Sequence, residues 1–198
     1  MSQFETFFAE LDSAWTAPPD RLRLPIIGSV ALMLQTAHRR ATNDGDVLET
    51  TGLDPDIQAR LLALAGRGTE IHKRNRLYLD IVRNGVPFLP QQPTWHPATS
   101  LGHVVHFEIV LLDITDVVVS KLIRYIARDV ADIDAMISLD LVPHRLFVDR
   151  FRAAVAAIEM DSRSDDLPKI VERFHQVERD MFGIPETPID LPSWIGNG

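Results

Sequence analysis

The chain contains no cysteine. Disulfides, zinc–thiolate sites and thiol nucleophiles are therefore excluded, and the absence agrees with a reducing compartment. It also lacks any apolar run of the roughly 18 to 20 residues needed to cross a bilayer. Its opening, Met1-Ser2-Gln3-Phe4-Glu5, has no basic segment followed by an apolar core, so no secretory signal is read there. A cytoplasmic protein without membrane attachment is the expectation. An excess of positive charge is missing too: the formal net charge is −8. That argues against indiscriminate binding to phosphate backbones but leaves room for a local basic strip beside an acidic site. No internal repeat or low-complexity tract occurs. None of the seven histidines pairs at the i, i+4 spacing of a helical zinc site. Ser100 and Ser120 have no nucleophile-elbow context, so serine hydrolase chemistry is set aside.

What is present is an ordinary globular composition, 45% apolar and 24% charged over 198 residues. The length suits one domain, or one with a helical extension. Phe4, Phe7, Phe8, Leu11 and Trp15 recur at helical spacing up to Pro18-Pro19, predicting an amphipathic helix. Leu22 to Ile27 reads as a strand, and a helix capped by Ser29 should follow. Thr42 to Asp46 reads as a turn leading into a strand at Val47 to Glu49. Asp54 to Leu64 reads as a helix closed by Gly66 and Gly68, and Arg76 to Val82 as a strand. Pro87 to Pro97 holds four prolines and reads as a loop, with a strand from Val104 to Leu111 beyond it. Helices are expected over Asp116 to Arg128, Pro143 to Met160, and Leu167 to Met181 with Gly183 as the stop. The expectation is an α+β fold, a mixed sheet flanked by helices, with a helical C-terminal part. The implied divisions are 1–114 for the core, 115–184 for the helices and 185–198 for an irregular tail.

Three acids carry the chemical signal. Asp44 and Asp46 are one residue apart; on an extended chain their side chains share a face, with Cα atoms roughly 6.5 to 7 Å apart. So placed, they can share a hard divalent cation, which favours oxygen ligands. The competing reading is an acidic Asn-Asp-Gly turn. Asp80 sits within the apolar stretch Leu77 to Val82, where a carboxylate is costly to bury unless paired or bound to metal. The alternative is an exposed sheet face shared with Tyr78. A third carboxylate from a neighbouring strand would complete a two-metal site for phosphoryl transfer. Gly28-Ser29 adds a point where backbone can approach a phosphate at a helix N-terminus, or else a plain strand-to-helix turn.

The order of these pieces resembles the polymerase-beta-type nucleotidyltransferase superfamily. Within it the chain is similar to the AbiEii-type toxins of toxin–antitoxin pairs. The matching residues are Gly28-Ser29-Val30-Ala31-Leu32, Arg40 through Asp46, and Leu79-Asp80-Ile81-Val82. They continue with Val119-Ser120-Lys121-Leu122 and Arg128 through Ile133. The resemblance spans about residues 22 to 137. It implies Asp44, Asp46 and Asp80 as ligands of Mg2+ or Mn2+, with Asp80 as ligand or base. It implies Gly28 and Ser29 as the triphosphate cradle, and Lys121 and Asp129 as further active-site residues. Lys121 would bind nucleotide by neutralising phosphate charge; otherwise it is a solvated lysine on a basic helix face with Arg124 and Arg128. Asp129 would otherwise cap a helix.

The activity implied is transfer of a nucleoside monophosphate from an NTP to an acceptor. That acceptor would be an RNA such as a tRNA 3′ end, or a protein, with a cognate antitoxin as partner. Two other readings stand beside it: transfer to a small molecule of the antibiotic type, and a non-catalytic relative that binds nucleotide or a partner. The segment Gly52 to Gly68, between the acid-bearing strands, is an insertion that covers the site or shapes acceptor choice. Arg67, His72, Lys73, Arg74 and Arg76 form a basic cluster just ahead of the Asp80 strand. They either steer an RNA end or triphosphate or make a solvated loop.

Overall fold

The computed structural model describes residues 2–16, 21–158 and 165–191. Pro18, Pro19 and Met160 lie outside the described residues, as does the expected tail from 192 onward. The chain forms two compact units. One gathers the described residues of Met1–Val86 and Trp95–Asp113, the other those of Pro87–Thr94 and Ile114–Gly198. No helix among the described residues is long and apolar enough to cross a membrane.

The first unit is built on a mixed five-stranded sheet. Its strands are β1 (Leu22–Ile27), β2 (Asp44–Leu48), β3 (Tyr78–Val82), β4 (Trp95–Pro97) and β5 (Phe107–Leu112), in the order β3-β2-β1-β5-β4. β1 runs parallel to β5 and antiparallel to β2, and β2 runs parallel to β3. The short β4 lies within the proline-rich stretch expected to be a loop. It survives there as an edge strand, where the missing proline N–H costs least.

Four helices accompany the sheet. α1 (Gln3–Ala14) starts with a capping box: the Glu5 N–H donates to Ser2 Oγ, and the Ser2 N–H donates to Glu5 Oε2 at 2.7 Å. Its buried stripe is Phe4, Phe7, Phe8 and Leu11, and Trp15 just beyond packs edge-on against Phe107 of β5. α2 (Gly28–Gln35) begins one residue earlier than expected. Ser29 is inside its first turn and is not the cap; Ile27 holds that position with no side-chain hydrogen bond. α3 (Pro55–Ala65) is capped by Asp54 and opened by proline, whose fixed φ suits the first helical turn. α4 (Glu70–Asn75) was not expected. Only Ile71 of its six residues is buried, so no apolar period marked it.

The second unit is helical: α5 (Ile114–Lys121), α6 (Ala127–Ser138), α7 (His144–Ile158) and α8 (Leu167–Val177). The single helix expected over Asp116 to Arg128 is broken after Lys121. Tyr125 takes a left-handed φ of 49° and Ile126 is extended, which restarts the chain as α6. Phe147, Phe151 and Phe174 stack through the core of this unit, and Phe88 packs edge-on against Phe151. Arg150 of α7 clamps Asp116 of α5 with two bonds of 2.6 Å and also donates to the Gln92 carbonyl. The Thr94 N–H donates to Asp116 as well. These bonds explain why 87–94 groups with the helices. α8 runs into a π-helical turn, Glu178–Phe182, and Gly183 with φ 66° ends it.

Candidate functional site

β2 decides the site. Asp44-Gly45-Asp46 is extended backbone within the strand, where the sequence reads as a turn. Gly45 permits this by its small size. A Cβ there would lie 3.2 Å from Leu79 and 4.0 Å from Val30 of α2, so this face is the packed one. Asp44 and Asp46 point to the opposite face. β3 is aligned so that Asp46 pairs with Asp80 and Asp44 with Tyr78. Residues directly opposite in a sheet share a face on strands roughly 4.8 Å apart. Asp44, Asp46, Asp80 and Tyr78 therefore occupy one face of the sheet. Asp80 is exposed there, while Leu77 and Leu79 are buried on the other side.

The acids are an all-oxygen donor set, the chemistry that suits magnesium or manganese. Asp44 Oδ1 accepts from the Thr42 hydroxyl at 2.8 Å, and Asp80 Oδ1 accepts from the Ile81 N–H at 2.9 Å. Among the described residues, no group of three His, Cys, Asp or Glu side chains is placed so that it could hold a metal ion. Strand register places the three carboxylates on one face, where like charges repel unless a cationic group offsets them. Each of the two local bonds engages one oxygen of its carboxylate.

On the other side of Asp46 stands the β1–α2 junction. Ile27 is the register partner of Asp46, and Gly28 follows with φ 67°. A Cβ on Gly28 would sit 2.8 Å from Asp46 Oδ2. Glycine is needed here twice, for the left-handed backbone and for the close carboxylate. The start of α2 presents backbone N–H groups at this corner. Arg40 donates a short hydrogen bond to the Ser29 hydroxyl. No local sequence signal marks Arg40 for a role; its contact with Ser29, eleven residues away, is set by the fold.

Two further side chains, Tyr78 and Arg67, stand with the acids. Arg67, on the turn after α3, donates to the Tyr78 hydroxyl at 2.8 Å and lies over its ring, 4.9 Å from the centroid. The Tyr78 hydroxyl bond, with lesser pulls from Asp44 and Asp80, holds the guanidinium above its ordinary pKa. Three others of the expected basic cluster are engaged locally: Lys73 pairs with Glu70, Arg74 with Glu10, and His72 Nδ1 accepts from the Gly68 N–H.

Lys121 and Asp129 lie in the helical unit. Lys121 is buried rather than solvated, with its ammonium 3.3 Å from Asp129 and 2.9 Å from Asp132. Arg124 adds two bonds of 2.8 Å to Asp129. Asp129 also accepts from the Ile126 N–H at 3.4 Å, the helix-capping contact. Burial alone would raise the Asp129 pKa; the Arg124 bonds and the charges of Lys121 and Arg124 outweigh it and leave it lowered.

A mixed sheet that ends one strand in a glycine-led helix and aligns acids on the next two is the α+β architecture of a nucleotidyltransferase. The sequence narrows this further. Residues 2–180 match the family described as nucleotidyltransferase of unknown function (DUF6036), and the chain belongs to that family. No curated protein and no solved structure matches it.

Proposed function

We propose that the protein transfers a nucleoside monophosphate from an NTP to an acceptor hydroxyl and releases pyrophosphate. The observation that carries this is the alignment of Asp46 with Asp80 on the face where Gly28 meets Asp46. Asp44, Asp46 and Asp80 would hold Mg2+ or Mn2+, which when bound neutralises charge on the phosphates. The amides opening α2, with Ser29 and Arg40, receive the β- and γ-phosphates. The Asp80 carboxylate takes the proton of the acceptor hydroxyl. The acceptor oxygen forms its bond to the α-phosphorus as the bond to the bridging oxygen breaks, and pyrophosphate leaves with those electrons.

The toxin-like reading is a finer form of the same proposal. It makes the acceptor an RNA end and a cognate antitoxin the partner, and it is supported by the sequence resemblance. The same resemblance would count Lys121 and Asp129 among the residues of transfer. Their buried ion pairs also give them a part in folding, so activity must be read together with stability in their variants.

The test is label transfer from each α-labelled NTP with magnesium or manganese. The expected result is labelled acceptor with the wild type and none with Asp44→Ala or Asp46→Ala. Transfer that persists unchanged in both variants would reject the proposal.

A further inference from the structure

β2 and β3 are neighbours and parallel, so a crossover must join them. That crossover contains the Gly52–Gly68 insertion, and its last turn is held firmly. Gly66 ends α3 where a Cβ would meet the Leu62 carbonyl at 2.4 Å. The Thr69 hydroxyl donates to the Gly66 carbonyl at 2.9 Å, and the Gly68 N–H donates to His72 Nδ1 at 2.9 Å. Between these anchors Arg67 is exposed, yet it is directed onto the face of the acids by Tyr78.

The sheet order gives this position meaning. Gly28, Ser29 and Arg40 gather at β1, Asp44 and Asp46 follow on β2, and Asp80 and Tyr78 lie on the edge strand β3. Arg67 stands at that edge strand. The two acid-bearing strands thus separate the phosphate-receiving corner from Arg67. The guanidinium covers a face of the phenol ring, and His72 packs edge-on with the same ring at 5.1 Å. The outer plane of the guanidinium then offers N–H groups to a phosphate and a stacking surface to a base.

We propose that Arg67 and Tyr78 form the acceptor subsite, binding the phosphate and base of a single-stranded nucleic-acid end whose hydroxyl meets Asp80. This rests on the reading of Asp44, Asp46 and Asp80 as the transfer centre. The insertion is then the element that selects the acceptor. A phosphate of the NTP offers the same chemistry to Arg67, so the test has a separate arm for each source.

The full chain is titrated with a short fluorescein-labelled single-stranded RNA bearing a free 3′-hydroxyl, followed by anisotropy over a salt series. Binding of each magnesium–NTP is measured in parallel by calorimetry. Arg67→Ala should weaken RNA binding about tenfold and reduce the salt slope by about 1, with NTP affinity held within about twofold. Arg67→Lys should restore the slope without the full affinity, and Tyr78→Leu should weaken RNA binding with the slope kept. RNA affinity unchanged in Arg67→Ala would overturn the subsite and leave Arg67 as a counter-ion to the acids. A loss confined to NTP binding would overturn it in favour of the nucleotide. Wild type that binds NTP but no RNA overturns the subsite alone. Wild type that binds no NTP and transfers no label overturns the underlying transfer reading.

Discussion

Asp46 of β2 and Asp80 of β3 stand opposite each other in a parallel pair, separated in sequence by a crossover that carries two helices. Two carboxylates in register repel unless neighbouring groups offset their charge. Replacing Asp46 by Asn keeps the shape of the side chain and should leave the melting temperature within a few degrees of the wild type. Label transfer should fall by about a hundredfold or more, because on the proposed reading one carboxylate that would hold the phosphate-neutralising cation is removed. Differential scanning fluorimetry and the transfer assay, run on one preparation, read both effects.

Gly28→Ala should harm both stability and activity. A left-handed residue with a Cβ costs about 1 to 2 kcal/mol. The new methyl would also lie 2.8 Å from Asp46 Oδ2 and must push that carboxylate away. Urea denaturation should show the loss, and transfer should fall further than that loss of folded protein explains.

Lys121→Met should destabilise the protein, by at most about 3 to 5 kcal/mol, since removing one partner of a buried ion pair leaves the other's charge less well compensated. Asp132, fully buried at 2.9 Å from the Lys121 ammonium, is a carboxylate that loses this contact. The double change Lys121→Met with Asp132→Leu should regain a large part of that loss. A denaturation midpoint unchanged in the single variant would show that the pair contributes nothing to folding.

Acid should unfold the protein partly through Asp129 and Glu178. Burial pushes the Glu178 carboxyl up, but bonds from the Thr187 hydroxyl and N–H and from His144 leave it lowered overall. Asp129 is lowered by Arg124 and Lys121 against its own burial. A carboxylate whose folded pKa is depressed adds stability that is fully present above its unfolded value of about 4. That contribution is lost as pH falls through the folded value. Stability should therefore be flat in this respect above about pH 5 and fall below pH 4. The fall should be shallower in Glu178→Gln, as followed by denaturation midpoints across that range.

Much of this protein was legible in the chain itself. Leu22 to Ile27, the apolar stripe of α1, the Asp54-Pro55 helix start and the Gly183 stop are local signals, set by side-chain period and capping chemistry. The candidate residues Gly28, Asp44, Asp46 and Asp80 were also named by their order along the sequence. Other features depended on partners far away. The Asp44-Gly45-Asp46 run has turn chemistry by itself and becomes strand because β1 and β3 supply hydrogen bonds on both sides. The break between α5 and α6 rests on a left-handed Tyr125 that no propensity favours. Arg67 reads as one cation in a basic loop until Tyr78, eleven residues on, turns it toward the acids. Residue type and spacing determined which groups the protein has for chemistry. Strand register, a long-range property with no local signature, decided which of them share a face.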